Sequence, residues 1–412
     1  MSNTLITPSM IAKEALMVLK NNLPFTRSVY NDYTPEFSRT PNGWKVGQTV
    51  NVAVPPRYTI RSGANISLQN VVEPTKAIQL NNQVGVDMTF TSVELTQSLS
   101  RFSEYVVAPA VAAIANRVET DGLALARTRT FNQVGTPGTT TSALADYLTA
   151  GAVLTNNGCP RDNMRYALMT PTQEAATVDA SKGFFNSQTQ IAKQYEAGSM
   201  YQFAGFKGDA SQNLPTHQVG PLGGTPLVNG AGQGITTGFA ETGTLVTDGW
   251  TAAAALRLRQ GDVFTIAGVF AVNPQNRQST GRLQQFVALS DTSSDASGNA
   301  TISIAPAIIS AGQFQNVSNA PGDNQPLTVV GAANTSSPLG LVYHKNAFAF
   351  VSRPLEMPNG VDFAAVETDP DTGISIRVVR QYAIGTDTFP CRLDVLYGWR
   401  DLYPEWACRL AN

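Results

Sequence analysis

The apolar positions of this 412-residue chain change period several times, and each change marks an element. Met10, Ile11, Ala15, Val18 and Leu19 fall on one helical face, opposite Lys13, Glu14 and Lys20. Thr7 and Pro8 supply an N-cap and a first-turn proline, and an amphipathic helix this short must dock on something. From 44 to 90 the period drops to two: Val50, Val52 and Val54 alternate before Pro55-Pro56, and Val84, Val86, Met88 and Phe90 alternate beyond. This predicts two strands joined by an excursion of roughly 30 residues, far longer than a hairpin loop, carrying Gly63, Ile66, Leu68, Ile78 and Leu80. Thr91 and Glu94 then form a capping-box pattern, and Leu95, Leu99, Phe102, Val106, Ala110, Ile114 and Val118 keep three-or-four spacing to about Thr130. Pro109 marks a kink or a fresh first turn within it. A helix of ~35 residues would run ~50 Å, a spine rather than the inside of one compact domain.

Beyond a turn-rich break at 135–141, the pattern predicts a helix over 142–156, closed by Asn157-Gly158 and Pro160. A strand over 165–169 leads into Thr170-Pro171, with Gln173 completing another capping box. Residues 205–243 hold ten glycines with almost no periodicity and read as a domain boundary. The next block, 245–310, is all-β, with strands at 263–269, 286–289 and 301–304 and a polar loop at 291–298. After a second polar stretch at 316–339, strands return at 347–351, 374–379 and 391–397. The fold class is α+β, with a β domain inserted into an α/β one.

Charge changes this picture more than composition does. Only 14% of residues are charged, against a typical ~25%, and the net charge is −2. So balanced a chain is not wholesale disordered, and it lacks the basic face of a dedicated nucleic-acid binder. Arg117, Arg127 and Arg129 read as solvated helix arginines. A weakly charged surface suits a protein that spends it on contacts with other subunits. Cys159, Cys391 and Cys408 form no CxxC pair, which fits a reducing compartment. Lys13 and Glu14 interrupt the N-terminal apolar stretch, so no signal peptide is read there, and no run reaches the ~18 apolar residues of a membrane span.

Candidate chemistry is thin. His217 and His344 are the whole histidine supply, and no HExxH, GxSxG or cysteine-nucleophile pattern surrounds them. The glycines around Gly232 and Gly234 follow no strand and lack a GK[ST] element, so they do not read as a phosphate loop. Asp369 and Asp371 sit in the turn TDPDTG and read as a solvated turn rather than an acid pair. No catalytic, metal or cofactor site is predicted, and the chain reads as a non-enzyme.

Several strings carry a resemblance. RYALMTPTQEA at 165–175, FAGFKGD at 203–209, GDVFTIAGV at 261–269, NAFAFVSRPL at 346–355 and CRLDVLYGWRDLYPEWA at 391–407 occur in this order. With the order of terminal helix, β excursion, spine helix and interrupted α/β domain, the chain resembles the major capsid proteins of tailed bacteriophages. More narrowly, it is similar to the short-tailed-phage coat proteins that carry a telokin-like inserted domain.

The resemblance implies a Hong Kong-type capsid fold. Residues 1–30 would form an N-terminal arm, and 31–139 a peripheral domain with the extended loop (44–90) and spine helix (91–130). Residues 140–221 with 339–412 would form an axial domain, and 222–338 the inserted β domain. It implies a subunit that assembles as hexamers and pentamers into an icosahedral head around double-stranded DNA. The partners implied are further copies, a scaffolding protein contacted through Glu14, the portal protein, and DNA held only weakly and non-specifically. Assembly would take place in the host cytoplasm, with no membrane and no cofactor. An extended loop of this kind is stable only if a neighbour covers its apolar residues, here Ile66, Leu68, Ile78 and Leu80. Lys76 is the single lysine of the excursion and reads without a cross-linking role. The alternatives are a non-viral compartment shell or another phage head structural protein. A secreted glycan hydrolase would need a signal peptide and clustered acids, which the sequence lacks.

Overall fold

The computed structural model describes residues 23–33, 49–61, 63–66, 68–92, 108–139, 144–181, 202–369 and 373–411. The predicted N-terminal helix with Glu14, and Leu95 to Val106 of the spine, lie outside these residues. A short helix α1 (Pro24–Ser28) precedes strands β1 (Thr49–Ala53), β2 (Thr75–Gln79) and β3 (Asn82–Thr91). Helix α2 (Ala108–Arg129) follows, then β4 (Gln133–Gly135), α3 (Leu144–Asn156), β5 (Arg165–Met169) and α4 (Pro171–Ser181). Next come β6 (Gln202–Phe203), β7 (Phe206–Ala210) and β8 (Thr216–Gln218). The central block is β9 (Gly224–Val228), β10 (Gly243–Trp250), β11 (Leu256–Leu258), β12 (Val263–Val272), β13 (Ser279–Ala288), β14 (Thr292–Ser293), β15 (Ala300–Ala305) and β16 (Leu327–Val329). The chain closes with β17 (Ser336–His344), β18 (Phe348–Ser352), β19 (Phe363–Thr368), β20 (Ser375–Arg380), β21 (Thr388–Asp401) and β22 (Ala407–Ala411).

These elements fall into two compact units, one drawn from residues 1–52, 76–123 and 348–400, the other from 53–75, 124–347 and 401–412. The division cuts through the block 339–412 that the resemblance assigned to one axial domain. Strands β18 to β21 group with β3 and the first part of α2, whereas β17 and β22 group with β5.

In the first unit, β3, β21, β20 and β19 pair antiparallel, and β18 joins β21. The register puts Val84, Val86, Met88 and Phe90 on one face with Val395, Leu393, Cys391 and Phe389, as period-two alternation requires. Thr91 ends β3 and Ser92 directly after it is helical, the position at which the Thr91 cap predicts the spine helix to begin. Its main described part is α2, whose Asp121 accepts a 2.6 Å hydrogen bond from the Tyr397 hydroxyl. Burial and that carboxylate both push the Tyr397 pKa up. Gly122 of α2 faces the Trp399 ring, where a Cβ would come within 2.6 Å. The five-residue helix α1 has no side-chain cap of its own; the Glu119 carboxylate accepts from the Phe25 and Thr26 amides instead, at 2.9 and 3.2 Å. Phe25 stacks on Trp399 with ring centroids 5.2 Å apart.

In the second unit a mixed sheet runs β4-β22-β17-β5-β7-β6. Helix α3 lays Tyr147, Ala150, Val153 and Leu154 on its Ala167, Met169, Val342, Cys408 and Leu410. That helix stops as predicted: Gly158 takes φ +78°, its amide bonds Thr155, and the Cys159 amide bonds Leu154, the paired C-terminal bonds of a Schellman cap. The predicted capping box before α4 also forms. The Thr170 amide donates to the Gln173 side chain at 3.0 Å, and the Gln173 amide donates to the Thr170 hydroxyl at 3.2 Å.

The β block is an antiparallel ring, β16-β12-β13-β15-β10-β9. It closes through the Leu227–Pro326 bridge and backbone bonds from Val228 to Gln325 and from Asn324 to Val228, each 2.9 Å. Leu245, Phe264, Ile266, Phe286, Ile302 and Ile304 fill its interior. Closure uses β9 and β16, which fall in the two stretches read from sequence as polar boundaries.

Three polar links tie this barrel to the sheet within the same unit. Gln133 exchanges two hydrogen bonds with the Gln285 side chain, at 2.8 and 3.0 Å. Buried Arg409 of β22 donates to the Gly261 and Arg127 carbonyls at 2.8 and 3.0 Å, and burial lowers its pKa to about 10. Buried Asp262 accepts from His217 at 2.8 Å and from the Gly220 and Arg259 amides at 3.0 and 2.8 Å.

Candidate assembly surfaces

The excursion is shorter than the alternation predicts. Strand β2 pairs with β1, and the Val54 amide bonds the Pro74 carbonyl at 2.7 Å, so the loop proper runs from Val54 to Pro74. This separates the four predicted contact residues into two pairs. Ile66 and Leu68 lie on the loop, 80% and 93% exposed. Ile78 sits in β2 and Leu80 just after it, 0% and 5% exposed. The expectation that a neighbour must cover Ile78 and Leu80 is therefore corrected: the chain buries both itself. The close approach of the β2 end to Gly398, which has no side chain to obstruct Gln79 and Leu80, permits this.

Sequence reasoning also missed part of the strip. Ile60 is 96% exposed, and Tyr58 and Val71 are more than half exposed. The same i, i+2 spacing that singled out Ile66 and Leu68 relates Tyr58 to Ile60, so the signal was present on the opposite limb. Exposed apolar patches are a general feature of surfaces that bind other molecules.

The two limbs are pinned to each other and to the barrel. Gln69 accepts from the Thr59 amide and hydroxyl at 2.8 and 2.7 Å and donates to the Thr59 carbonyl at 3.0 Å. Arg57 pairs with Glu405 at 3.1 Å and lies over the Phe314 ring. Arg277 donates to the Tyr58 carbonyl at 2.8 Å, and Gln313 donates to the Asn70 carbonyl at 2.7 Å.

Two smaller exposed apolar sites occur elsewhere. Ile384 and Tyr382 form the tip between β20 and β21, at 86% and 38% exposure. Leu144 and Leu148 lie on the outer side of α3. Neither histidine is presented for chemistry. His217 is spent on buried Asp262, whose other oxygen is taken by two amides. His344 is 1% exposed and donates from Nε2 to Asp162 at 3.1 Å. Among the described residues no group of three or more His, Cys, Asp or Glu could hold a metal ion, and no helix is long and apolar enough to cross a membrane. Glu14 lies outside the described residues.

The family described as P22 coat protein, gene protein 5, matches residues 9–409. No curated protein matches the chain. Among solved structures it is similar to that of Mycobacterium phage Che8, at 12% identity and a TM-score of 0.46, covering 94% of this chain and 90% of that one. The capsid of Cyanophage P-SCSP1u gives 12% identity and a TM-score of 0.45, over 89% and 84% of the two chains. The CUS-3 coat protein I-domain aligns at 24% identity and a TM-score of 0.20, over 26% of this chain and 94% of its own.

Proposed function

Since the chain belongs to the P22 coat protein family and is a major capsid protein of the phage head shell, we propose that its copies join through the 58–71 strip of each subunit. The observation that carries this is the exposure of Ile60, Ile66 and Leu68, 80–96%, on a loop whose backbone is held by hydrogen bonds. Burying one such side chain contributes about 1.5–3 kcal/mol, and one loop per subunit, repeated around a closed shell, adds up through multivalency. Weak net charge suits both close lateral contact and a lumen that holds DNA without gripping it.

Hexamers and pentamers are the proposed capsomers, with assembly in the host cytoplasm. A scaffolding protein bound through Glu14 of the N-terminal arm and a portal protein complete the proposed partners. We assign β18 to β21, β3 and the first part of α2 to the peripheral domain, and the β5-β17-β22 sheet with α3 and α4 to the axial domain. The barrel at about 222–338 is the inserted domain. The role is structural.

The test is the double substitution Ile66→Asp with Leu68→Asp in the full chain, followed by sedimentation velocity and negative-stain microscopy under conditions in which the wild-type chain forms shells. The expected result is a folded subunit that forms none. Normal shells, or an unfolded subunit, would overturn the reading.

A further inference from the structure

The loop from Val54 to Pro74 is held at its waist rather than along its length. Arg277 sits at the turn between β12 and β13, and that turn is ordered by itself. The Arg277 amide bonds Asn273 at 2.8 Å, the Asn273 amide bonds Gln278 at 3.0 Å, and the Asn273 side chain accepts from the Gln275 amide at 2.8 Å. Gln313 belongs to the connection between β15 and β16, which is equally fixed. The Asn316 side chain accepts from the Ile309 amide at 2.9 Å and donates to the Ala307 carbonyl at 2.7 Å, while Phe314 is buried with Ala307 and Ile309. From these two rigid points Arg277 reaches the Tyr58 carbonyl and Gln313 reaches the Asn70 carbonyl. One Arg277 nitrogen also donates to the Gln313 carbonyl at 3.3 Å, so the two donors are joined to each other. The Thr59–Gln69 bonds then close the loop immediately beyond. Every exposed apolar residue of segment 60–68 lies past this closure.

We infer that the barrel is the positioning device for this assembly loop: Arg277 and Gln313 are positioning residues that hold both limbs, so that segment 60–68 meets a second copy of this chain already ordered. The inference rests on the reading of the strip given above. Its physical content is entropy. A free loop of this length pays the ordering cost of its backbone when it docks, whereas a waist held by charge-assisted and amide hydrogen bonds pays it on folding. Both acceptors are backbone carbonyls, so the clamp fixes the path of the chain and leaves its side chains free for the partner.

The test uses the full chain with Arg277→Asn plus Gln313→Ala. Arg277 has φ +57°, a conformation asparagine tolerates, so the substitution removes the guanidinium without straining the turn. Hydrogen exchange over 57–72 should accelerate about tenfold while exchange in β12 and β13 stays unchanged. The concentration needed for shell formation should rise by a similar factor, and Arg277→Lys with wild-type Gln313 should recover part of it. Gln69→Ala, which alters no barrel residue, should give the same acceleration and guards against a variant whose barrel is damaged. Unchanged loop exchange would show that the clamp does not order the loop. Faster exchange with unchanged assembly would show that preordering does not matter to it. Either result overturns the clamp, whereas the Ile66→Asp, Leu68→Asp experiment judges the strip as an interface separately.

Discussion

Gly85 of β3 lies opposite Asp394 of β21, and a Cβ on Gly85 would come within 2.5 Å of the Asp394 Oδ1. Asp394 is 1% exposed, and its oxygens take Arg377 at 2.5 Å and Arg392 at 2.9 Å, with Arg392 also 3.5 Å from Asp87. The absent side chain makes room for a buried carboxylate and lets β3 reach its place at the sheet edge. The same Cβ would come closer still to the Leu393 carbonyl oxygen, so Gly85→Ala must push β3 away from β21 as well as disturb the carboxylate and its arginines. The expected loss of folding stability is about 2–3 kcal/mol, the scale of a disturbed buried charge pair. Urea unfolding of the variant and the parent chain measures it, and a change under ~0.5 kcal/mol, the surface-substitution range, would contradict the account.

His344 makes stability depend on pH. Its Nδ1 accepts from the Asn346 amide at 3.2 Å, so the ring is neutral with its proton on Nε2, facing Asp162. Burial lowers the His344 pKa below 6.5 despite the pull of Asp162. At Asp162 burial opposes the shift, but the His344 hydrogen bond and the Met164 amide bring its carboxyl below 3.8. A histidine harder to protonate when folded makes the unfolded chain bind the extra proton. Stability should therefore fall as pH drops below 6.5, by at most about 1.4 kcal/mol per pH unit. The Asp162 contribution is present above 3.8 and is lost further down, as pH falls through its lowered folded pKa. Unfolding midpoints from pH 5 to 8 should show the slope, and His344→Gln should flatten it.

Asp262 joins the barrel to β8 through His217 and to the segment just after it through the Gly220 amide, and it also holds the Arg259 amide of its own turn; its removal strands all three donors. Asp262→Ala should cost about 3–5 kcal/mol, as for breaking a buried charged partner. Asp262→Asn, which keeps an acceptor oxygen, should cost less. Differential scanning calorimetry of the two variants orders them, and equal losses would rule out the hydrogen-bonding account.

The three thiols are buried and hard to ionise. Burial raises Cys408 to about 12 and Cys159 to about 11, and it raises Cys391 as well. A thiol-specific reagent at pH 8 should leave the folded chain unlabelled over minutes and should modify all three cysteines in denaturant. Rapid labelling of the folded chain would mean that β21, β22 or the turn after α3 that holds Cys159 opens readily.

The sequence by itself determined what short-range chemistry determines. Thr170 and Gln173 start α4 and Gly158 stops α3 because caps act over three to five residues. Strands β5, β12, β15 and β20 were legible from their apolar period, and the low charge already pointed to a surface made for contacts. The tertiary structure decided the rest. Strand β16 is only three residues long and β9 carries a glycine and a proline, so neither announces itself, and only closing the ring across about a hundred residues of chain makes them strands. Ile66 and Ile78 look alike in sequence, yet one is 80% exposed and the other fully buried, because only β2 finds a partner in β1 and a glycine at 398 to lie against. The grouping of β18 to β21 with β3, and the space Gly85 leaves for Asp394, likewise depend on register between distant segments. Period and capping are fixed by neighbours along the chain; pairing and burial are fixed by whichever distant surfaces leave the fewest polar groups unsatisfied, and no local window contains that information.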